Sequence, residues 1–249
     1  MHSIFITALL AGVGVWAGIQ NALAGGGTFL TFPVLLLAGL DARAANITSA
    51  VALFPGQVTT GWAVRGLISG TAGLSARALA AISLVGGVAG AVLLLATPES
   101  VFAMLVPFLV LFATLVFAWG SFRGPPKMGR ELGALPGGII QFLIAIYGGY
   151  FGGGIGILMI AALTMSGLDT RHAGATKNVL AAVINIAAFA IFAFSPYVAW
   201  LDAAILGAGA IVGGQLGALM LKRVNEKLLR IAIIALGTAL TIGLFWKAR

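Results

Sequence analysis

The stretch GGGTFLTFPVLLLAGLDAR at residues 25–43 and the stretch GGGIGILMIAALTMSGLDTR at residues 152–171 follow one plan. Each begins with three glycines, continues as a short apolar run and ends in a G-L-D-x-R turn. Eleven residues of α-helix are about 16 Å long, roughly half of the hydrocarbon thickness of a bilayer. Two undersized apolar segments after glycine clusters predict interrupted helices at the binding site of a membrane transporter.

The two stretches belong to an internal repeat. A shift of 128 residues aligns Arg43 with Arg171 and Thr48 with Thr176. A shift of 127 residues aligns positions further along the two halves. Glycine and alanine matches arise easily in a small-residue chain, whereas charged and hydroxyl residues matching at one register indicate duplication. We predict repeats at about residues 4–120 and 133–247, joined by a basic cytoplasmic loop at 121–132.

Composition places the whole chain, residues 1–249, in one membrane domain. Of its residues 61% are hydrophobic and 8% are charged, with a mean hydropathy of +1.12, whereas soluble domains carry about 25% charged residues. The predicted fold is an all-α polytopic membrane protein with five apolar helical segments in each repeat. The predicted segments are 4–23, 28–38, 44–64, 76–96, 99–120, 133–150, 154–166, 173–195, 200–221 and 226–246.

An odd number of segments per repeat predicts inverted topology. If all five segments cross the membrane, the second repeat enters it from the opposite side; the alternative is that the short segments are re-entrant. Under this arrangement most basic residues fall on one face, which the positive-inside rule makes cytoplasmic. These residues are Arg65, Arg77, Arg123, Lys127, Arg130, Lys222 and Arg223. The net charge of +8 therefore indicates membrane orientation, and no nucleic-acid partner is predicted.

The first segment has an alternative interpretation as a secretory signal peptide. Residues 3–19 form an apolar run, and Ala22-Leu23-Ala24 resembles a cleavage site. The segment lacks a basic start, and the repeat gives the residues around that site a counterpart inside the chain. A membrane helix is the prediction retained here.

Both copies of the glycine motif carry a family resemblance. Tyr147 to Gly156 reads YGGYFGGGIG and Ala173 to Asn178 reads AGATKN, and with the G-L-D-x-R turns they resemble the TauE/SafE family of sulfite and organosulfonate exporters. The resemblance covers nearly the whole chain. It implies secondary transport of a small sulfur-containing anion out of a bacterial cell, across the inner membrane.

The glycine clusters also suit an anion on physical grounds. A helix that starts inside the membrane has unpaired backbone N–H groups and a positive dipole end, and glycine permits close approach. The alternative is that these glycines only permit tight helix packing. The candidate ligand-binding residues of the two clusters are Gly25, Gly26, Gly27, Thr28, Gly153, Gly154 and Gly156.

The third segment of each half adds polar candidates. Ser49 and Gln57 are eight residues apart on one helical face, and the repeat places Lys177 and Asn185 at the same positions. Lys177 is expected either to neutralise a bound anion or to extend to the cytoplasmic interface. Asn178 is a further candidate.

Several polar residues near the breaks have open interpretations. Gln20 and Asn21 are expected to line the cavity or to satisfy the freed backbone. The G-L-D-x-R turn is typical of a helix C-terminus followed by the N-cap of the next helix. The alternative is that the short segments end inside the membrane, in which case Arg43 and Arg171 are expected to bind anions or to act as gates. His172 is expected at the surface, with proton coupling as the alternative.

Missing motifs narrow the function. The sequence has no cysteine, no Walker loop and no H-E-x-x-H motif, so we predict no enzyme activity, no metal and no cofactor. Expected partners are a small anion, the lipid bilayer and a coupling proton. Glycine faces around Gly86 and Gly213 predict either internal packing or a homodimer. A channel, an intramembrane enzyme and a structural or assembly protein are the alternatives to a carrier.

Overall fold

The computed structural model describes residues 4–23, 26–71, 73–123, 133–220 and 226–247. Gly25, most of the 121–132 loop, Lys222 and Arg223 lie outside the described residues. The described part of the chain forms ten α-helices, five in each half. They are α1 (Ile4–Leu23), α2 (Thr28–Leu37), α3 (Ala42–Ala63), α4 (Ala76–Ala96), α5 (Glu99–Arg123), α6 (Ala134–Tyr150), α7 (Ile155–Met165), α8 (Thr170–Phe192), α9 (Trp200–Met220) and α10 (Glu226–Lys247). The all-α prediction is confirmed.

Helix length divides the bundle into spanning and short elements. Five described helices are long and apolar enough to cross a bilayer: α1, α4, α5, α8 and α9. In contrast, α2 has 10 residues and α7 has 11, about 15–17 Å at 1.5 Å per residue. The chain is a multi-pass membrane protein with one half-length helix in each half.

The G-L-D-x-R turns have the predicted capping structure. Gly39 and Gly167 each have φ +98°, the left-handed conformation that ends a helix. Asp41 Oδ1 accepts a hydrogen bond from Ala44 N at 2.9 Å, and Asp169 caps α8 in the same manner. Each turn therefore joins a short helix to the long polar helix that follows it.

Helix packing pairs elements from the two halves. The first helix of each half packs along the fourth helix of the other half, α1 on α9 and α6 on α4, while α3 packs against α8 and α5 against α10. The glycine faces make these close contacts. A Cβ atom on Gly86 would lie 2.6 Å from Ala145 Cβ, and one on Gly217 would lie 2.9 Å from Ile19 Cα. These faces are therefore occupied within the chain.

Candidate functional site

A cavity of about 50 Å³ lies where the two helix breaks meet α3 and α8; we call it the central cavity. Its wall includes Thr28 at the start of α2, and Ile155 and Gly156 at the start of α7. The two breaks are close together, because a Cβ atom on Gly152 would lie 3.9 Å from Thr28 Oγ1. At about 10–15 Å³ per water, the cavity has room for roughly three to five waters, which suits a solute of a few heavy atoms.

One face of α3 forms a wall of the central cavity. The lining positions recur at helical spacing. They are Asn46, Ala50, Leu53, Gln57 and Thr60. Asn46 Nδ2 donates a 2.9 Å hydrogen bond to Tyr150 O at the end of α6, so this wall is tied to the break in the second half.

The facing wall comes from α8. Its lining residues are Lys177, Asn178, Ala181, Asn185 and Phe192. Asn185 Nδ2 donates to Gln57 Oε1 and, at 2.8 Å, to Ala181 O. Gln57 and Asn185 are 128 residues apart, the spacing of the repeat, so equivalent residues of the two halves contact each other here.

Lys177 is the cation of the central cavity. It is 4% exposed, and in the described part of the chain no carboxylate pairs with it and no group accepts a hydrogen bond from it. A buried ammonium without a counter-charge is costly. Lys177 therefore has no counter-charge among the described residues.

A second and larger cavity adjoins the central one. It measures about 500 Å³ and is lined by the last turns of α3 and the first turns of α8; we call it the vestibule. Thr60, Lys177 and Asn178 belong to the walls of both cavities. Arg171 is exposed and lines the vestibule, so two cations, Arg171 and Lys177, lie on its wall.

The residues around the first break serve the backbone as well as the cavity. Asn21 and Gly26 line the central cavity. Asn21 Oδ1 accepts a 2.7 Å hydrogen bond from Gly27 N, and Gln20 Nε2 donates to Gly26 O at 2.8 Å. Gln20 therefore satisfies the freed backbone, while Asn21 does this and also lines the cavity.

Four of the described residues predicted to bind the ligand lie outside the wall of the central cavity: Gly27, Ser49, Gly153 and Gly154. Ser49 is fully buried, with its Oγ 2.5 Å from Thr31 Oγ1. Gly153 and Gly154 pack against Ala113 of α5, and Gly154 has φ +76°. The second glycine cluster therefore has both predicted roles: Gly153 and Gly154 permit close helix packing, and Gly156 lines the cavity.

The remaining candidates lie at the two ends of the long helices. Arg43 is 9% exposed and lies at the end of α3 away from the vestibule. The side chain of His172 is 42% exposed, with Nδ1 2.5 Å from Asp169 Oδ2, so the surface interpretation of His172 is confirmed. Hydrogen bonds from the His172 amide and ring hold the pKa of Asp169 below its usual value.

Sequence reasoning missed Asn46 and Thr60. Both lie on the α3 face that contains Gln57, at offsets of eleven and three residues from it. This helical spacing is the sequence feature that could have identified the two residues. Neither residue has a polar repeat counterpart, because the shift of 128 places Gly174 and Ala188 there.

The model of the family described as "Sulfite exporter TauE/SafE" matches residues 10–244. The chain belongs to this family. A "Probable membrane transporter protein" of Haemophilus influenzae is 27% identical over 242 residues, which are 95% of this chain and 93% of that protein. "Probable membrane transporter protein ORF9" of a Sinorhizobium species is 28% identical, covering 92% and 88%. YfcA of Escherichia coli, with the same description, is 26% identical, covering 100% and 93%. This TauE/SafE chain thus resembles membrane transporters along nearly its whole length.

Proposed function

We propose that this chain is a secondary transporter that exports a small anion, of the class of sulfite and short organosulfonates, from the bacterial cell. The observation that carries the proposal is Lys177, a buried ammonium on the cavity wall with no partner among the described residues. Since desolvation makes an isolated buried charge unfavourable, an anion in the central cavity gains its counter-charge without breaking an existing ion pair.

Neutral donors complete the anion site. The first amides of α7, at Ile155 and Gly156, have no intrahelical acceptors because of their position, and both residues line the cavity. The positive end of the α7 dipole adds to the same potential. Side-chain amides of Gln57 and Asn178 provide further donors for an oxoanion.

The sizes of the two cavities support a substrate range. An anion of sulfite size suits the central cavity of about 50 Å³, whereas the vestibule is about 500 Å³. A short organosulfonate would place its charged group beside Lys177 and its remaining atoms in the vestibule, because Lys177 lines both spaces. We propose no hydrolysis or other chemical step, and no enzyme activity, for this chain.

Inverted repeats are supported by the directions of equivalent helices. The vestibule is lined by the end of α3 and by the start of α8, so these equivalent helices run in opposite directions. Arg65 and Arg171 lie on the vestibule side, and the positive-inside rule assigns that side to the cytoplasm. Alternating access then consists of movement of one half against the other around the shared cavity.

Coupling to protons is proposed through Lys177. Among the described residues that line either cavity there is no carboxylate and no histidine, and arginine does not release its proton. Lys177 is thus the titratable side chain on the proposed route. A homodimer is left out of the proposal, because the glycine faces around Gly86 and Gly213 contact α6 and α1 of the same chain.

Flux into proteoliposomes tests the function. We expect saturable transport of labelled sulfite, with competition by sulfoacetate and weaker competition by sulfate and acetate. Gly156→Leu fills the central cavity and is expected to abolish transport. Gly12→Leu is the matched control, since Gly12 is exposed on α1 with no heavy atom within 4 Å of its Cβ position. Flux that never saturates would indicate a channel, and absence of both flux and anion binding would refute the proposal.

A further inference from the structure

A cluster of polar and aromatic side chains surrounds Arg43, at the end of α3 away from the vestibule. Arg43 Nη1 donates a 2.9 Å hydrogen bond to Thr97 O, and the guanidinium carbon lies 3.9 Å from the centre of the Tyr197 ring. Tyr150 OH donates to Thr97 Oγ1 at 3.4 Å. We call these four residues the Arg43 cluster.

The Arg43 cluster is continuous with the cavity wall. Asn46 lies three residues after Arg43 on α3, lines the cavity and donates to Tyr150 O. Phe151 and Phe192 line the same end and are 5% and 0% exposed. A solute that moves from Lys177 away from the vestibule therefore meets the aromatic rings first and the Arg43 cluster behind them.

The equivalent place in the other half is open. The shift of 128 residues relates Arg43 to Arg171 and Tyr150 to Ala22. Arg171 and Ala22 both line the vestibule, and Arg171 is exposed. One arginine of the equivalent pair is thus held in a cluster, while the other is exposed on the wall of the vestibule, which Ala22 also lines.

The present contacts of Arg43 are weak enough to be replaced by contacts with an anion. Its Nε atom is buried and has no hydrogen-bond partner, and no described carboxylate pairs with the guanidinium. One neutral carbonyl and one ring face satisfy only part of its five donors. An anion that reached this position would offer stronger, charge-assisted hydrogen bonds than Thr97 O does.

We propose that the Arg43 cluster is the closed gate on the far side of the membrane, and that release of Arg43 from Thr97 and Tyr197 opens the central cavity to that side. The inference rests on the proposed transport function for its role. The geometry of closure, however, is tested without any substrate.

The absence of native cysteine permits a direct accessibility test. Ala50→Cys places a thiol on the cavity wall two turns from Arg43. Right-side-out and inside-out membrane vesicles are treated with a membrane-impermeant anionic thiosulfonate, and the two labelling rates are compared. With Arg43 intact, we expect labelling chiefly from the vestibule side, in inside-out vesicles.

Loss of the gate contacts should change the sidedness of labelling. In the Ala50→Cys background, Arg43→Ala should raise the far-side rate about tenfold, the population change expected when one charge-assisted hydrogen bond is lost. Tyr197→Ala should act in the same direction. Tyr197→Phe keeps the ring face and should leave the ratio of rates unchanged.

The labelling rate from the vestibule side serves as the folding control for each variant. The proposal is overturned if the thiol is already labelled equally from both sides with Arg43 intact. It is also overturned if Arg43→Ala and Tyr197→Ala both keep the vestibule-side rate but leave the far side protected. If the proteoliposomes transport no anion while the labelling ratios change as expected, the transport function fails and the gate geometry stands.

Discussion

Replacement of Lys177 by methionine is the sharpest test of the anion site. Methionine keeps an unbranched side chain and removes the charge. At about 4 Å separation and an effective dielectric constant near 20, an ammonium and a monoanion attract by about 4 kcal/mol. Hydrogen bonds to charged groups contribute about 1.5–3 kcal/mol net of desolvation. We therefore expect Lys177→Met to raise the half-saturation concentration for sulfite by roughly tenfold to a hundredfold.

The same substitution should have the opposite effect on stability. Without an anion, Lys177 is 4% exposed and has no described partner, and replacing an unpaired buried charge by an apolar group relieves its desolvation penalty. We expect Lys177→Met to raise the Tm of the detergent-solubilised protein in anion-free buffer. Stabilisation by added sulfite, which follows from ligand binding to the folded state alone, should be lost.

Both effects are measured with one control. Arg77→Gln removes one positive charge from an exposed position outside the two cavities, so it corrects for net charge. Labelled sulfite flux gives the half-saturation concentration, and thermal unfolding with and without sulfite gives the stability effect. An unchanged half-saturation concentration in Lys177→Met, or a lower Tm in anion-free buffer, would refute the assignment of Lys177 to the anion site.

Three further predictions test the cavity and the fold. Asn185→Leu leaves Gln57 without its partner and should lower the unfolding free energy by about 1–3 kcal/mol. The double variant with Gln57→Leu should recover stability in thermal unfolding, but it should not recover sulfite flux. Gly86→Leu would overlap α6 and should lower Tm or abolish folding, whereas Gly12→Leu should leave Tm nearly unchanged. Asp41→Ala removes the cap of α3 and should cost about 0.5–2 kcal/mol in the same unfolding measurement.

Much of the backbone was predictable because its signals are local. Glycine clusters at Gly26 and Gly154 marked the breaks, and both residues have positive φ. The capping turns followed from Gly39 and Asp41. The repeat register even paired Gln57 with Asn185, because equivalent residues on the third helix of each half meet at the contact between α3 and α8.

The chemistry of equivalent positions was less predictable. Ser49 and Lys177 occupy the same position in the two halves, yet Lys177 lines the cavity and Ser49 does not. The reason lies in α2, where Thr31 pairs with Ser49; its counterpart in α7 is Met159, which cannot donate a hydrogen bond. A contact between helices that are separated in sequence decides which side chain reaches the site.

In the proposed transporter, we expect asymmetry between otherwise equivalent positions to determine where the anion is recognised. The contact of Gln57 with Asn185 joins the two halves through neutral amides, whereas Lys177 lies off that contact, where the central cavity and the vestibule share a wall. We therefore expect an anion that enters from the vestibule to reach Lys177 before it reaches the contact between Gln57 and Asn185. Because Tyr150 stands where the first half has Ala22, we expect the proposed route to be narrower beyond the central cavity, and we therefore expect the anion to neutralise Lys177 before it contacts the far side.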